Sequence, residues 1–387
     1  MRRALKWLGR AALALLLAAL VVGFYKREEI TRLMAVNSLF SEGKIVANFS
    51  HMDRAFLTRA ISRGDGPVSP LPTGTATILP PNTDQWINER FVTSLLVLHR
   101  GQIVHESYRL GTLAEDRRIG WSIAKSFLSA LFGIIKAEGA IGSLDDQVTQ
   151  YVPALTGSAY DGVTIRNILQ MTSGVAFDED YLDYDSDINK MGRVLALGGS
   201  MDGFAAALDT RIAQPGAQWK YVSIDTHVLG MVIRGATGRD IPDLLSEKII
   251  APLGLEVEPY YLTDGRGVAF ALGGVNMTTR DYARFGQMIA QGGYWHGKQI
   301  VPADWIASST IASAPTAPDK IRYGYQWWIP KEARDGVFMA RGIYGQYIYV
   351  DQPRDVVIVT TGADRQFRNP GVHDVNIAMF RAIAAAL

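Results

Sequence analysis

Cysteine is absent from all 387 residues of the chain. That absence removes disulfide scaffolds, thiol nucleophiles, iron–sulfur clusters and Cys-ligated zinc together. Charge of either sign is in no excess, with 39 Lys and Arg against 38 Asp and Glu and a formal net charge of +1. A balance so even provides no footprint for a phosphate backbone, so nucleic acid is not an expected partner. Histidine is scarce: the six copies (His51, His99, His105, His227, His296 and His373) form no ligand-spaced cluster, and no metal is expected. The chain also lacks a G-x-S-x-G elbow, an H-E-x-x-H pair, a Walker A loop and a G-x-G-x-x-G turn. What it does have is apolar material. Hydrophobic residues make up 48% and charged residues 20%, enough for a sizeable core in one large domain or two intimate ones.

Residues 1–30 read as targeting. Arg2, Arg3, Lys6 and Arg10 precede an uncharged apolar run from Ala11 to Phe24, and the charges of Lys26, Arg27, Glu28 and Glu29 after it cancel. The run falls between a signal-peptide core and a short membrane span. Its one-sided charge predicts the N-terminus inside and the remainder exported. No clean A-x-A cleavage site follows, which favours an uncleaved signal anchor over a signal peptide. The expected location is the periplasmic face of the inner membrane, or the periplasm if the segment is cut.

Residues 31–85 read as an irregular lead-in, with Pro67-Val-Ser-Pro-Leu-Pro72 and Leu79-Pro-Pro-Asn82 extended. From residue 86 to 387 the pattern is that of one domain. Val92–Leu98 and Ile103–Tyr108 flank a Gly-bearing turn and predict a hairpin, and Tyr347–Asp351 with Val356–Thr361 predict a second. Tyr323–Ile329 reads as one further strand. Between the hairpins the signal is helical: Ser122–Glu138, Ile165–Met171, Met201–Leu208, Asp225–Gly235, Ile241–Ile250, Thr279–Gln291 and Ala303–Ser309, with another helix from His373 to the end. The plain reading is α+β: an antiparallel sheet built from both chain ends, flanked by helices, with a mainly helical insertion.

Three short stretches carry possible chemistry. Ser122-Ile-Ala-Lys125 opens the most apolar helix of the chain. Residues three apart share a helix face, so the lysine amine can reach the serine hydroxyl, and a helix start aims free N–H groups at developing negative charge. Two readings of Lys125 stay open. A desolvated lysine loses its proton and becomes the base that a serine nucleophile needs; a lysine at a helix start can equally snorkel to water. Ser41-Glu-Gly-Lys44 has the same spacing but lies in a polar, irregular stretch. The second stretch is Pro215-Gly-Ala-Gln-Trp-Lys-Tyr221-Val-Ser223, where a turn precedes the tyrosine and a helix follows the serine. Tyr184-Asp-Ser186 matches its Tyr-x-Ser spacing without the rigid frame, and a tyrosine alone is ordinarily a packing residue. The third is Ala340-Arg-Gly-Ile343-Tyr-Gly-Gln346. Gly342 and Gly345 suit either close approach of backbone to a ligand or a simple bulge.

In this order and separation the three stretches resemble the penicillin-recognising serine hydrolases, the S-x-x-K superfamily of β-lactamases and penicillin-binding proteins. Gly142–Pro153 and Val163–Gly174 resemble the segments after the serine helix in class C β-lactamases, DD-peptidases and related esterases. The resemblance runs from about Thr93 to the C-terminus. Ser122-Ile-Ala-Lys-Ser, Tyr221-Val-Ser and Gly342-Ile-Tyr-Gly-Gln are most similar to the 6-aminohexanoate-dimer hydrolase branch.

The resemblance implies a β-lactamase/transpeptidase-like fold and specific roles. Ser122 is the acylated nucleophile, Lys125 the neutral amine that accepts its proton, and Tyr221 the phenol that completes the relay. The backbone N–H groups of Ser122 and Ile343 form the oxyanion hole. Tyr181, Ser223, Trp328 and Gly342 contact substrate. The implied partner is a small-molecule amide or ester, and no cofactor is needed. Two departures argue against efficient β-lactam turnover. Ala340-Arg341-Gly342 replaces the usual Lys/His-Thr/Ser-Gly, where Arg341 can partly substitute though strand direction is wrong for the same role, and Ser223 stands where class C enzymes commonly carry Asn. A true β-lactamase or DD-peptidase is the alternative enzyme; a non-catalytic sensor with the same fold is the alternative of another class.

Overall fold

The computed structural model describes residues 2–317 and 319–387. Its central element is a seven-stranded antiparallel sheet. In chain order the strands are β1 (Val92–His99), β2 (Gln102–Tyr108), β3 (Arg322–Tyr323), β4 (Trp328–Ile329), β5 (Val337–Gly342), β6 (Gln346–Asp351) and β7 (Val356–Gly362). Across the sheet they run β2-β1-β7-β6-β5-β4-β3. The first hairpin therefore pairs with the last strand, Val97 opposite Ile358 and Leu96 opposite Val359, and both chain ends close one sheet.

Alternation along these strands supplies two apolar layers, because successive side chains point to opposite faces. Leu96, Leu98, Ile348, Val350, Val357 and Val359 join the larger core cluster, beneath the helices Ile123–Ala137 and Thr279–Ala290. Their neighbours Leu95, Val97, Tyr347, Tyr349, Val356 and Ile358 join the second cluster, with Phe380 and Ile383 of the C-terminal helix Val372–Ala385. Helix Thr83–Glu89 closes that face: Trp86 meets Phe380 edge-on with centroids 5.8 Å apart and donates its indole N–H to Asn376 at 2.8 Å.

The expected α+β architecture is the observed one, with three differences in detail. Tyr323–Ile329 is not one strand but the pair β3 and β4 around a tight turn in which Gln326 adopts φ +66°. The turn is pinned from below, since Ser126 Oγ donates to the Gln326 carbonyl at 2.8 Å and Ser129 Oγ to that of Tyr325 at 2.7 Å. Second, residues 31–85 are far from irregular throughout. They hold part of the helix Arg27–Asn37, the helix Ile45–Ser50 and the strand Leu57–Ala60. That strand pairs with Tyr260–Thr263 in a small four-stranded sheet completed by Val275–Met277 and Arg118–Ile119. Leu39, Ile45, Phe49, Met52 and Phe56 are buried in the main core, and burial of this kind stabilises a segment whose spacing carries no clear period. Third, Asp187–Ala196 forms a helix, capped by Ser186 Oγ accepting from the Asn189 N–H.

The N-terminal helix Arg2–Tyr25 contains a stretch, Lys6–Tyr25, with a mean hydropathy of 2.0 and none of its surface buried. It is long and apolar enough to cross a membrane.

Candidate active site

The site forms where the small sheet hands the chain to the central helix. Trp121 holds φ +47°, a conformation uncommon for a bulky residue, and Ser122 follows immediately before helix Ile123–Ala137. The bend leaves Ser122 half-buried while Ile123 to Ile135 are buried on every face. Gly342, at the end of β5, lies against this bend: a Cβ there would stand 2.3 Å from the Gly120 carbonyl oxygen. Glycine is required at 342 for this close approach, since its φ of −113° is open to any residue.

Lys125 is 1% exposed. Its ammonium side chain does not snorkel. Nζ lies 2.9 Å from Ser122 Oγ and 2.7 Å from the Leu272 carbonyl, to which it donates. Among the described residues no carboxylate bonds it directly, so burial pushes the amine down to about 7, opposed by the more distant charge of Glu179. The second S-x-x-K copy has no such setting; Ser41 and Lys44 are exposed in turns.

Tyr221 comes from the loop before helix Ser223–Thr237. Its ring lies 5.3 Å from Lys125 Nζ and stacks on Trp328 with centroids 5.1 Å apart. Burial raises the phenol and Glu179 adds to the rise, while a hydrogen bond with Ser122 opposes it. The Arg341 guanidinium covers Trp328 at 5.3 Å. Arg341 therefore lines the cleft with Ser122, Tyr221 and Gly342. Tyr184 of the other Tyr-x-Ser copy is exposed beneath Arg193.

Glu179 is the residue that sequence reasoning passed over. Its carboxylate accepts from the Tyr181 hydroxyl at 2.7 Å and from the Ser223 backbone N–H. Burial raises this carboxyl, opposed first by Lys125 and then by its hydrogen bonds. Nothing in residue type separates Glu179 from Asp178 or Asp180 beside it. Only the fold turns one of the three inward.

Two cavities meet at the serine. One, about 310 Å³, is walled by Leu39, Phe40, Phe56, Met191, Leu195 and Phe270. The other, about 350 Å³, holds Tyr221, Trp328, Arg341, Arg368 and His373. Ser122, Tyr181 and Ile343 line both. The structure thus brings Ser122, Lys125, Tyr181, Tyr221, Ser223, Trp328, Gly342 and Ile343 into one neighbourhood.

A hydroxyl beside a buried amine and a phenol, on a helix packed under an antiparallel sheet, defines a class: serine hydrolases of the β-lactamase-like fold. The Beta-lactamase family model matches residues 88–366, and the chain belongs to that family. It is 31% identical over 329 residues to the 6-aminohexanoate-dimer hydrolase of Paenarthrobacter ureafaciens, covering 80% of this chain and 83% of that one. A structure from Bacillus anthracis named for the same hydrolase activity superposes with a TM-score of 0.79 at 25% identity, covering 89% of this chain and 95% of the other. EstCE1, described as a hydrolase with promiscuous acyltransferase activity, shares the fold at TM-score 0.62 and 15% identity, covering 78% of this chain and 96% of the other. The chain is a hydrolytic enzyme.

Proposed function

We propose that the protein cleaves a carboxylic amide or ester through an acyl-enzyme on Ser122. Lys125 takes the proton from Ser122 Oγ as that oxygen bonds the carbonyl carbon. The N–H groups of Ser122 and Ile343 hold the oxyanion. Tyr221 gives a proton to the departing amine or alkoxide as its bond to carbon breaks, and recovers one from Lys125. Water, deprotonated by the same pair, then releases the acid. The observation that carries this reading is the amine of Lys125, buried and 2.9 Å from Ser122 Oγ. A base near neutrality at that distance is what activates a serine.

The family relatives support amide or ester chemistry. A β-lactamase or DD-peptidase reading gains nothing from Ala340-Arg341-Gly342. Export and anchoring through Lys6–Tyr25 belong to the same proposal, supported by its unburied apolar surface and the basic residues before it.

Ser122→Ala tests the chemistry. We expect hydrolysis of a p-nitrophenyl ester to fall more than about a thousandfold in a protein that still unfolds cooperatively. Retention of more than about a tenth of the wild-type rate overturns the proposal.

A further inference from the structure

The two cavities divide the substrate. A leaving group must sit where Tyr221 can protonate it, and Tyr221 lines the cavity that also holds Trp328, Arg341 and Glu179. The cavity walled by Leu39, Phe40 and Phe270 also opens on Ser122, without Tyr221 in its wall. It therefore receives the acyl part.

Its walls are chemically one-sided. Leu39, Phe40, Phe56, Met191, Leu195 and Phe270 surround the space, and among the described residues lining it Arg193 alone is charged. Arg193 donates to the Tyr184 carbonyl at 2.7 Å and its guanidinium lies 3.9 Å over the ring of Tyr184, an exposed residue that also lines the cavity. Leu39, Phe40 and Phe56 precede residue 88, where the family match begins.

We infer that this cavity binds an uncharged aliphatic acyl chain of about eight carbons, which makes medium-chain acyl amides or esters the substrate class. The length follows from volume: 310 Å³ is room for roughly ten water-sized groups at about 30 Å³ each, and a methylene is of similar size. The charge follows from the lining. An ammonium at the end of the acyl chain, as in a 6-aminohexanoyl group, would lose its water with no carboxylate to replace it. The acyl specificity predicted here is thus for plain chains over amino-terminated ones.

The inference rests on the Ser122 acyl-enzyme, and one experiment separates the two. The full-length protein in detergent is assayed with p-nitrophenyl acetate, butanoate, hexanoate, octanoate and 6-aminohexanoate. We expect kcat/KM to climb roughly three- to fourfold per added methylene over part of the series and to peak near octanoate. Hexanoate should exceed 6-aminohexanoate by at least about tenfold. Gly192, on the helix Asp187–Ala196, lines the cavity and has no atom within 4 Å of where a Cβ would stand. Gly192→Phe should therefore lower octanoate turnover about tenfold or more while sparing acetate, whose hydrolysis reports an intact site. Hydrolysis of acetate with a flat or falling series, or equal rates for hexanoate and its amino derivative, overturns the acyl-chain assignment and leaves the Ser122 chemistry standing. Failure to hydrolyse any of the five esters overturns both.

Discussion

The Glu179 carboxylate raises the proton affinity of Lys125 from across the cleft while bonding to Tyr181 and Ser223 instead. Lys125 in turn donates to the Leu272 carbonyl. The cleft thus holds a carboxyl group whose hydrogen bonds fix its place, beside an amine that works only when neutral.

This relationship sets the pH dependence. Activity requires unprotonated Lys125, whose amine is depressed to about 7, so kcat/KM should rise with pH and level off above neutrality. Glu179 opposes that depression. Glu179→Gln removes the opposing charge, so the lysine loses its proton at lower pH and the acid limb moves down. A pH–rate profile in which the limb moves up, or stays where it was, contradicts the assignment.

Lys125→Met removes the base and replaces a desolvated amine with an apolar side chain of similar length. We expect kcat to drop by about 10² to 10⁴. The melting temperature should change little, because the lost bond to the Leu272 carbonyl is offset by relief of burying a polar group. Calorimetry and ester hydrolysis on the same sample check both halves. Unchanged kcat would remove Lys125 from the mechanism.

Two glycines should behave differently when given a methyl group. At Gly133 a Cβ would stand 2.1 Å from the Trp305 ring, whose indole N–H is held by the Ser129 carbonyl at 2.8 Å. Gly133→Ala should destabilise by about 1–3 kcal/mol through overpacking, beyond its helix-propensity gain of about 1 kcal/mol. Its kcat should remain near wild type, since the clash lies about three helical turns from Ser122. Denaturant melts and steady-state rates test the contrast.

Gly342→Ala drives a methyl toward the Gly120 carbonyl, with 2.3 Å available, and so separates the end of β5 from the serine bend. We expect kcat to fall at least about tenfold with KM less affected, the signature of lost transition-state contacts. A KM effect alone would detach Gly342 from the oxyanion geometry.

How much of this was legible in the chain differs from element to element. Strands β1 and β7 read clearly because both faces are buried and the residues are dense in Val, Ile and Leu. The serine helix read clearly from its apolar run, whereas Tyr221 stood out only through the family resemblance. The segment from Leu39 to Phe56 did not, because its apolar residues follow no period and its partners lie far along the chain, as with Leu57 opposite Thr263. Arg118 shows the same non-local logic: fully buried, it donates to the Val46 carbonyl and to Ser50 Oγ, tying that segment to the strand leading to the nucleophile. Glu179 was hidden among acidic neighbours, and the Leu272 carbonyl has no sequence signal at all. Contacts made by backbone or set by distant packing stay silent until the chain is folded.

The most direct test of the central claim is the site of covalent capture. The active protein is labelled with a fluorophosphonate, its intact mass measured, and the modified peptide mapped. We predict a single adduct on Ser122, absent from Ser122→Ala. Modification of a different residue, or an enzyme that hydrolyses esters yet takes up no label, would contradict the account.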